Sequence, residues 1–209
     1  MDGAERLQNP LDYEERFWSR GLSRIAGVDE VGRGPLAGPV VAGAVILSPG
    51  VSIVGAKDSK ALSPKRREAL AGEILSCASA VSLGAASVRE IDRLNILTGT
   101  RLAMERALRG LSVPPEHVVV DGLPVSGLPW DHEAVVKGDG RVHSISCASI
   151  VAKVVRDRLM VRLSRRYPGY GWERNMGYGT EEHRAALDRL GPTPHHRLSF
   201  GNLQGELGL

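Results

Sequence analysis

Apolar and polar positions in the first half of the chain follow strand periods and then helix periods. Apolar segments at 25–29, 39–47 and 81–86, bounded by Gly, Pro and polar residues, predict three short strands. The first two are so close in sequence that we expect an antiparallel hairpin. Ser63-Pro64 predicts the start of a helix over 63–77, because Ser caps a helix and Pro fits its first turn. A longer apolar pattern predicts a second helix over 88–109.

The second half continues with two strands and two helices. Strands are predicted at 117–121 and 134–137, each followed by a turn. Helices are predicted over 146–166 and 180–190, and a short one near the start of the chain over 11–20. In the longest helix, Ser149, Lys153 and Arg156 form a polar stripe beside an apolar one. Together these elements predict an α/β domain with helices flanking a mixed sheet.

Composition and charge narrow the class of protein. The 209 residues, 42% hydrophobic and 24% charged, are typical of an ordinary globular protein. The net charge is only +3, yet residues 141–198 carry 11 basic and five acidic side chains, whereas residues 111–140 carry one basic and five acidic. Such blocks are either solvated faces or a polyanion-binding surface around an acidic centre.

The sequence predicts neither a membrane span nor a secretory signal. Residues 35–56 carry no charge, but their Gly and Pro residues predict strands and turns. The N-terminal residues lack the apolar stretch of a signal peptide, so we expect a cytoplasmic protein. Cys77 and Cys147 lie far apart without metal-site spacing and are expected to be reduced thiols. A monomer is the expected oligomeric state.

Acidic residues follow three of the predicted strands. These are Asp29-Glu30, Asp121 and Asp139. Each could be a solvated turn residue, but acids at the ends of strands in one sheet can converge, and converging carboxylates need a cation. Oxygen ligands favour Mg²⁺ or Mn²⁺ over zinc. Two such ions would suit phosphodiester hydrolysis. Asp157 is expected to pair with a neighbouring arginine instead.

Other residues suggest contacts with a nucleic acid. The loop Gly32-Arg33-Gly34 does not match a dinucleotide-binding fingerprint, but its glycines allow close approach to a ligand while Arg33 offers a planar fork to phosphate. Tyr178, between two glycines, could stack on a base or sugar. The histidines at 183, 195 and 196 match no ligand pattern and are expected at the surface or at helix ends.

An ordered series of motifs over residues 25 to about 200 resembles bacterial ribonuclease HII, a type 2 ribonuclease H. The matching segments are Gly27-Val-Asp-Glu-Val-Gly-Arg-Gly-Pro35, Asp58-Ser-Lys60, Asp92 to Leu97, Asp121-Gly122, Val136-Lys-Gly-Asp139, Ala148-Ser-Ile150, Ala152-Lys153, Arg156-Asp157, Gly177-Tyr178 and His195-His-Arg197. The resemblance implies a ribonuclease-H-like fold: three antiparallel strands, then two parallel ones, with flanking helices and a small C-terminal helical extension. It divides the chain into a lead-in over 1–24, a catalytic domain over 25–170 and a C-terminal segment over 171–209.

The resemblance also implies an activity and a set of functional residues. The activity is hydrolysis of RNA hybridised to DNA and cleavage 5′ to single ribonucleotides in duplex DNA, leaving 3′-hydroxyl and 5′-phosphate ends. The implied metal ligands are Asp29, Glu30, Asp121 and Asp139, with Mn²⁺ or Mg²⁺ as cofactor. The implied substrate contacts are Gly32, Arg33 and Gly34 at the ribose 2′-hydroxyl, Tyr178 at the adjoining deoxyribose, and Lys60 and Lys153 in phosphate or structural roles.

Some positions depart from the family pattern, and some alternatives stay open. The departures are Ala61, Cys147, Asn175 and Met176, which touch possible substrate contacts but none of the four acids. A non-catalytic hybrid-binding module and a nuclease acting on DNA alone are the rival functions. The tail at 204–209 faintly resembles a peptide that binds a sliding clamp, although a disordered or packing tail is the favoured interpretation. With only 24 residues before the first predicted strand, the related ribonuclease HIII is disfavoured.

Overall fold

A computed structural model describes residues 9–56 and 62–200 of the chain. One mixed sheet of five strands lies between two layers of helices. The strands are β1 (Ile25–Val31), β2 (Val40–Ile46), β3 (Ala80–Ala86), β4 (His117–Asp121) and β5 (His132–Val135). The helices are α1 (Asp12–Trp18), α2 (Pro64–Cys77), α3 (Val88–Leu94), α4 (Ile96–Arg109), α5 (His143–Arg166), α6 (Trp172–Asn175) and α7 (Glu181–Leu190), with a 3₁₀ turn at Gly138–Gly140.

The strands lie side by side in the order β3-β2-β1-β4-β5. β2 pairs antiparallel with β1 and β3, whereas β4 pairs parallel with β1 and β5. This order confirms the prediction of three antiparallel strands followed by two parallel ones. Val28 of β1 lies opposite Val120 of β4, so the residues that follow them emerge together at the carboxyl ends of the two central strands.

Buried apolar side chains join the sheet to helices on both faces. α3 and α4 cover one face and contribute Ile91, Ala103, Met104, Ala107 and Leu108 to its core. α2 and α5 cover the other face, where α5 lies against β1 and β2. Gly27 allows this close approach, because a Cβ there would lie 2.3 Å from the backbone nitrogen of Ile145. α1 completes the second layer through Tyr13 and Phe17.

Two of the predicted helices need correction. The predicted helix over 88–109 is two helices, since Asn95 adopts a φ of 72° and ends α3 while its side chain caps α4. The longest helix begins at His143 instead of 146. On that helix the predicted polar stripe does not face solvent, because Ser149 and Arg156 are buried and Lys153 is half-buried.

The helix predicted to begin at Ser63-Pro64 is confirmed. The Ser63 hydroxyl accepts a hydrogen bond from the Arg66 amide at 3.3 Å, and Pro64 is the first helical residue. The last predicted strand is also present, but it lies two residues earlier, at His132–Val135. Within the described ranges, no helix combines the length and the apolar character that are needed to cross a membrane.

Candidate active site

Carboxylates gather at the carboxyl ends of the two central strands. Asp29 and Glu30 lie on β1, and Asp121 is the last residue of β4. Because β1 and β4 are parallel and Val28 is level with Val120, Asp29 and Asp121 are neighbours across the two strands. The topology therefore brings together acids that lie more than 90 positions apart in the sequence.

The three acids approach the end of the sheet from both of its faces. Side chains alternate along a strand, so Asp29 and Glu30 point to opposite sides. Asp29 forms a hydrogen bond with Ser149 of α5, whereas Glu30 lines a cavity that α4 closes on the other side. Asp121 borders the same cavity. Asp29 thus lies on the α5 side of the strand ends, whereas Glu30 and Asp121 border the cavity beside α4.

Asp29, the acid on the α5 side, has a strongly raised pKa because of its burial and the neighbouring carboxylates. Asp29 is only 6% exposed. Its burial, together with the carboxylates of Glu30 and Asp121, raises its pKa to about 8, although the hydrogen bond from Ser149 opposes this shift. Burial also raises the pKa of Glu30, while the Arg33 guanidinium, 3.1 Å from the Glu30 carboxylate, acts in the opposite direction.

Asp139 is connected to this site through the backbone. The Asp121 carboxylate accepts a hydrogen bond from the amide of Gly138 at 2.6 Å, which holds the start of the 3₁₀ turn that contains Asp139. The Ser146 hydroxyl donates to the Asp139 carbonyl at 2.6 Å from the first turn of α5. Lys137 supplies the left-handed backbone that directs the chain into this turn, with a φ of 56°. The backbone of the turn that carries Asp139 is therefore held against Asp121.

The donor set of these residues suits a divalent cation. Their side chains offer carboxylate oxygens, the ligands that Mg²⁺ and Mn²⁺ prefer. A buried carboxyl whose pKa is raised by neighbouring acids is the kind of group that a cation would return to its charged form. Among residues 9–56 and 62–200, however, no three His, Cys, Asp or Glu side chains already form a group that could hold a metal ion. The predicted ligands Asp29, Glu30, Asp121 and Asp139 therefore do not form a preformed group, and their binding of a cation stays a prediction.

The glycine loop after β1 lies directly beside the acids. Arg33 pairs with Glu30 and remains half exposed, so its guanidinium faces both the carboxylates and solvent. The adjoining cavity has a volume of about 630 Å³. Its far wall comes from α4 and from the segment after β4, including Thr100, Met104 and Leu123. Sequence reasoning missed this wall, since its residue types are those of an ordinary helix; the exposure of Leu97 (67%) and Leu123 (75%) is visible only in the folded chain.

The tyrosine predicted to contact substrate lies next to this loop. The Tyr178 ring is 46% exposed, and its edge lies 3.6 Å from where a Cβ on Gly34 would be. The Tyr178 carbonyl accepts a hydrogen bond from Nδ1 of His183 at 2.9 Å. The structure therefore brings Tyr178, Gly34 and Arg33 to one side of the acids.

The prediction that the C-terminal histidines lie at the surface or at helix ends is wrong for His196, which is buried outside any helix, whereas His183 lies in the first turn of α7 but is buried. His183 and His196 are buried and lie 3.0 Å apart through their Nε2 atoms. Trp172 donates to His183 Nε2, and Thr193 donates its amide to His196 Nδ1. Burial lowers the pKa of both imidazoles, and repulsion from His183 helps to lower that of His196 to about 4. Both rings pack against the rings of Tyr170 and Trp172.

Lys153, one of the two lysines with predicted substrate roles, pairs with an acid outside the predicted metal site. Lys153 donates to Asp157 at 2.7 Å, one turn further along α5. Asp157 also lies 3.6 Å from the Arg67 guanidinium of α2, so it belongs to an ion-pair group between two helices and not to the acidic site. Its arginine partner thus comes from another helix. Lys60 and Ala61 lie outside the described residues.

Comparisons with known proteins identify the family. Residues 26–203 match the family model described as Ribonuclease HII. A ribonuclease HII from Ruegeria pomeroyi is 57% identical over 201 residues, covering 95% of this chain and 86% of that protein. The ribonuclease H2 structure from Pyrococcus horikoshii OT3 has a TM-score of 0.74 at 28% identity and covers 87% of this chain and 96% of its own.

A second solved structure is similar to the same extent. It is the PCNA:RNase HII complex from Archaeoglobus fulgidus, with a TM-score of 0.72 at 26% identity, covering 85% of this chain and 95% of that chain. Family model, curated relative and solved structures agree with each other, and each covers most of the chain. The chain therefore belongs to the ribonuclease HII family of metal-dependent ribonuclease H endonucleases.

Proposed function

We propose that the chain cleaves RNA hybridised to DNA and also cuts on the 5′ side of single ribonucleotides embedded in duplex DNA, leaving 3′-hydroxyl and 5′-phosphate ends. The observation that carries this proposal is the position of the Gly32–Gly34 loop and Tyr178 immediately beside buried carboxylates. A ribose hydroxyl is the chemical feature that distinguishes RNA from DNA. A loop that recognises this hydroxyl next to a hydrolytic site would make cleavage selective for ribonucleotides.

In this proposal Asp29, Glu30, Asp121 and Asp139 hold two divalent ions, Mn²⁺ or Mg²⁺. When bound, such ions would activate a water molecule and stabilise the leaving oxygen of the phosphodiester. Burial of Asp29 excludes bulk water, and Ser149 orients its carboxylate by a hydrogen bond. Arg33 holds Glu30 through an ion pair at 3.1 Å, which fixes the direction of that carboxylate relative to the loop.

The substrate contacts follow from the same arrangement. Gly32, Arg33 and Gly34 face the ribose, and the half-exposed Tyr178 ring packs on the adjoining sugar. The apolar side of the neighbouring cavity, with Leu97 and Leu123 exposed, offers a surface for the bases or sugars of the duplex. Lys60 and Lys153 remain candidates for phosphate contacts further along the duplex.

Replacing one buried acid tests the proposal. We expect Asp29→Asn to reduce cleavage of a duplex with one ribonucleotide by on the order of 10³-fold or more, as loss of one member of a coupled catalytic unit does. Binding of an RNA/DNA hybrid should survive, because Asn is close to Asp in size and shape. Rates are measured by gel assay with and without chelator, and binding by fluorescence anisotropy. Undiminished turnover by the variant would refute the assignment.

A sliding clamp is a further candidate partner. The relative from Archaeoglobus fulgidus was solved as a complex of PCNA with RNase HII. By analogy, residues 204–209 are the segment to test here, and they lie outside the described part of the chain. A pull-down with and without these residues would separate clamp binding from a simple packing role.

A further inference from the structure

Two arginines lie buried directly behind the Gly32–Gly34 loop. Arg156 comes from α5, and Arg197 follows the buried His196 near the end of the described chain. Both side chains are fully buried. A fully buried arginine is unusual, because taking a guanidinium out of water is costly unless all of its N–H groups find partners.

Arg197 directs all of its guanidinium nitrogens at the loop that follows β1. The carbonyl oxygens that accept from it are those of Arg33 at 2.8 Å, Gly32 at 2.5 Å and Gly38 at 2.8 and 2.9 Å. The backbone around Arg197 is joined to the same loop, since its amide donates to the Leu36 carbonyl at 2.8 Å. The Arg197 side chain therefore holds both ends of the segment 32–38, which includes the Gly32–Gly34 loop.

Arg156 joins this loop to the segment that carries Tyr178. Its guanidinium donates to the carbonyl oxygens of Pro39 at 3.1 Å and Ala37 at 3.2 Å. It also donates to the carbonyl oxygen of Met176 at 3.0 Å, in the segment that carries Tyr178. Backbone bonds complete the connection: the Gly177 carbonyl accepts from the amides of Leu36 and Ala37. The loop and the tyrosine segment are consequently one connected unit.

Gly32 shows how closely Arg156 packs against the loop. Its φ of 92° lies in the left-handed region, and a Cβ at this position would lie 2.1 Å from Nε of Arg156. No side chain other than that of glycine fits between the loop and the guanidinium. The loop thus rests directly on Arg156.

The hydrogen bonds of both guanidinium groups go to carbonyl oxygens, and the Arg197 guanidinium also lies 4.9 Å from the centre of the Phe200 ring. Among the described residues neither forms an ion pair with a carboxylate. Burial and repulsion from Arg156 lower the pKa of Arg197 to about 9, so it still carries its charge at neutral pH.

We propose that Arg156 and Arg197 are positioning residues for ribonucleotide selectivity, which set the Gly32–Gly34 loop and the Tyr178 ring at a fixed distance from each other. By binding the carbonyl oxygens from behind, they turn the opposite side of the loop toward the substrate. Neither guanidinium touches the substrate. This inference rests on the proposed function, in which that loop and Tyr178 contact the ribose and the adjoining sugar.

Lysine substitutions separate positioning from charge. Arg197→Lys and Arg156→Lys keep the positive charge, but an ammonium group cannot reproduce the planar fork that serves three carbonyls. The control is Arg67→Lys, a buried arginine that donates to the Leu62 carbonyl at 2.7 Å but lies between α2 and α5. All three variants are expected to lower the melting temperature, and only the first two should change selectivity.

The readout is the ratio of dissociation constants for an all-DNA duplex and for the same duplex with one ribonucleotide, measured with chelator present. We expect this ratio to fall about tenfold in both lysine variants, the effect of misplacing one hydrogen bond to the substrate hydroxyl. Affinity for the all-DNA duplex and the ratio for Arg67→Lys should stay within about twofold of the unmodified protein. A lower melting temperature with an unchanged ratio would overturn the proposal.

Two further outcomes keep the conclusions separate. If both lysine variants fail to fold, the pair is a purely structural requirement and the inference is overturned. Arg33→Ala and Tyr178→Ala serve as references in the same assay. If they leave the ratio unchanged, the proposed function fails; if they lower it while the lysine variants do not, only the present inference fails.

Discussion

Asp29 shows how strongly one residue depends on its surroundings in this protein. An aspartate at a strand end is ordinarily a solvated, ionised group. Here it is buried under α5, beside two other carboxylates, and its pKa rises to about 8. At neutral pH this carboxyl would hold a proton, and it would have to release that proton to bind a divalent cation. Its chemistry therefore depends on the fold and on the ion together.

Two glycines in the same loop should respond differently to the same substitution. Gly32→Ala places a Cβ against Arg156 in left-handed backbone, so we expect a loss of about 2–4 kcal/mol in the free energy of unfolding. Gly34→Ala meets only the Tyr178 ring at 3.6 Å, which is ordinary contact, so stability should change by less than about 0.5 kcal/mol. Urea denaturation of both variants measures the difference.

Gly34→Ala also serves as a test of substrate contact. If the folded variant cleaves a ribonucleotide-bearing duplex poorly while its unfolding curve is unchanged, the added methyl group interferes with the substrate itself. Equal losses of stability in the two glycine variants would contradict this account of the loop.

Glu90 should make stability depend on pH at low pH. Hydrogen bonds from Arg106 and from Ser87 lower the pKa of Glu90 from its ordinary value of 4.5 to about 2. A carboxyl with a depressed folded-state pKa contributes stability above its unfolded pKa and loses it as the pH falls through the folded pKa. We expect Glu90→Gln to cost about 1 kcal/mol at pH 7, because the groups are partly exposed and solvent weakens the pair.

The measurement is the free energy of unfolding of both proteins between pH 7 and pH 2. The difference between them should be constant above about pH 5 and should shrink as the pH falls from 4.5 toward 2. A difference that stays constant down to pH 2 would show that the carboxylate of Glu90 is not what stabilises this helix start.

At the scale of the elements, the junction between α3 and α4 shows what periodicity does not detect. Both helices pack on the same face of the sheet, so the apolar pattern continues through Asn95 as if one helix ran from 88 to 109. The break depends on one residue whose side chain both tolerates positive φ and accepts a hydrogen bond from the Thr98 amide at 3.0 Å. A single asparagine does not interrupt the apolar periodicity, so the pattern alone does not predict the break.

Asn95→Ala should destabilise the protein by about 1–2 kcal/mol, since it removes the cap of α4 and puts an alanine at a φ of 72°. Asn95→Asp is the matched control, because it keeps an acceptor for the Thr98 amide and tolerates the same backbone. Thermal unfolding followed by circular dichroism compares the two variants. Equal stability of the alanine and aspartate variants would mean that the cap contributes nothing.

The end of β4 at Asp121 was predictable because an acid and a glycine follow a strongly apolar segment, whereas β1 continues two residues beyond its predicted end at Asp29, to Val31. Convergence of these acids at one end of a sheet was expected from the strand pattern, whereas their role as metal ligands came from the family resemblance. The comparisons confirm the family, and the role stays a prediction. Residues from α4 and the segment after β4 could not be assigned to the site in advance. Nor could the buried Arg156, His183 and His196, since charged and polar types are ordinarily exposed and only tertiary contacts show their burial.

At the scale of the whole molecule, the parallel pairing of β1 with β4 is the feature that creates the site. It brings Asp29 and Glu30, from the first part of the chain, next to Asp121 from the middle. The second half of the chain adds α5 and the 3₁₀ turn, which lie against these acids. The last described segment then returns to the first loop through Arg197. The site is thus assembled from the full length of the described chain.

Product mapping on a duplex that contains one ribonucleotide is the most direct test of this account. With Mg²⁺ or Mn²⁺ added, the account predicts one cut on the 5′ side of the ribonucleotide, with 3′-hydroxyl and 5′-phosphate ends, no cut with chelator, and none in an all-DNA duplex. Cleavage at other positions, or equal cleavage of the all-DNA duplex, would contradict it.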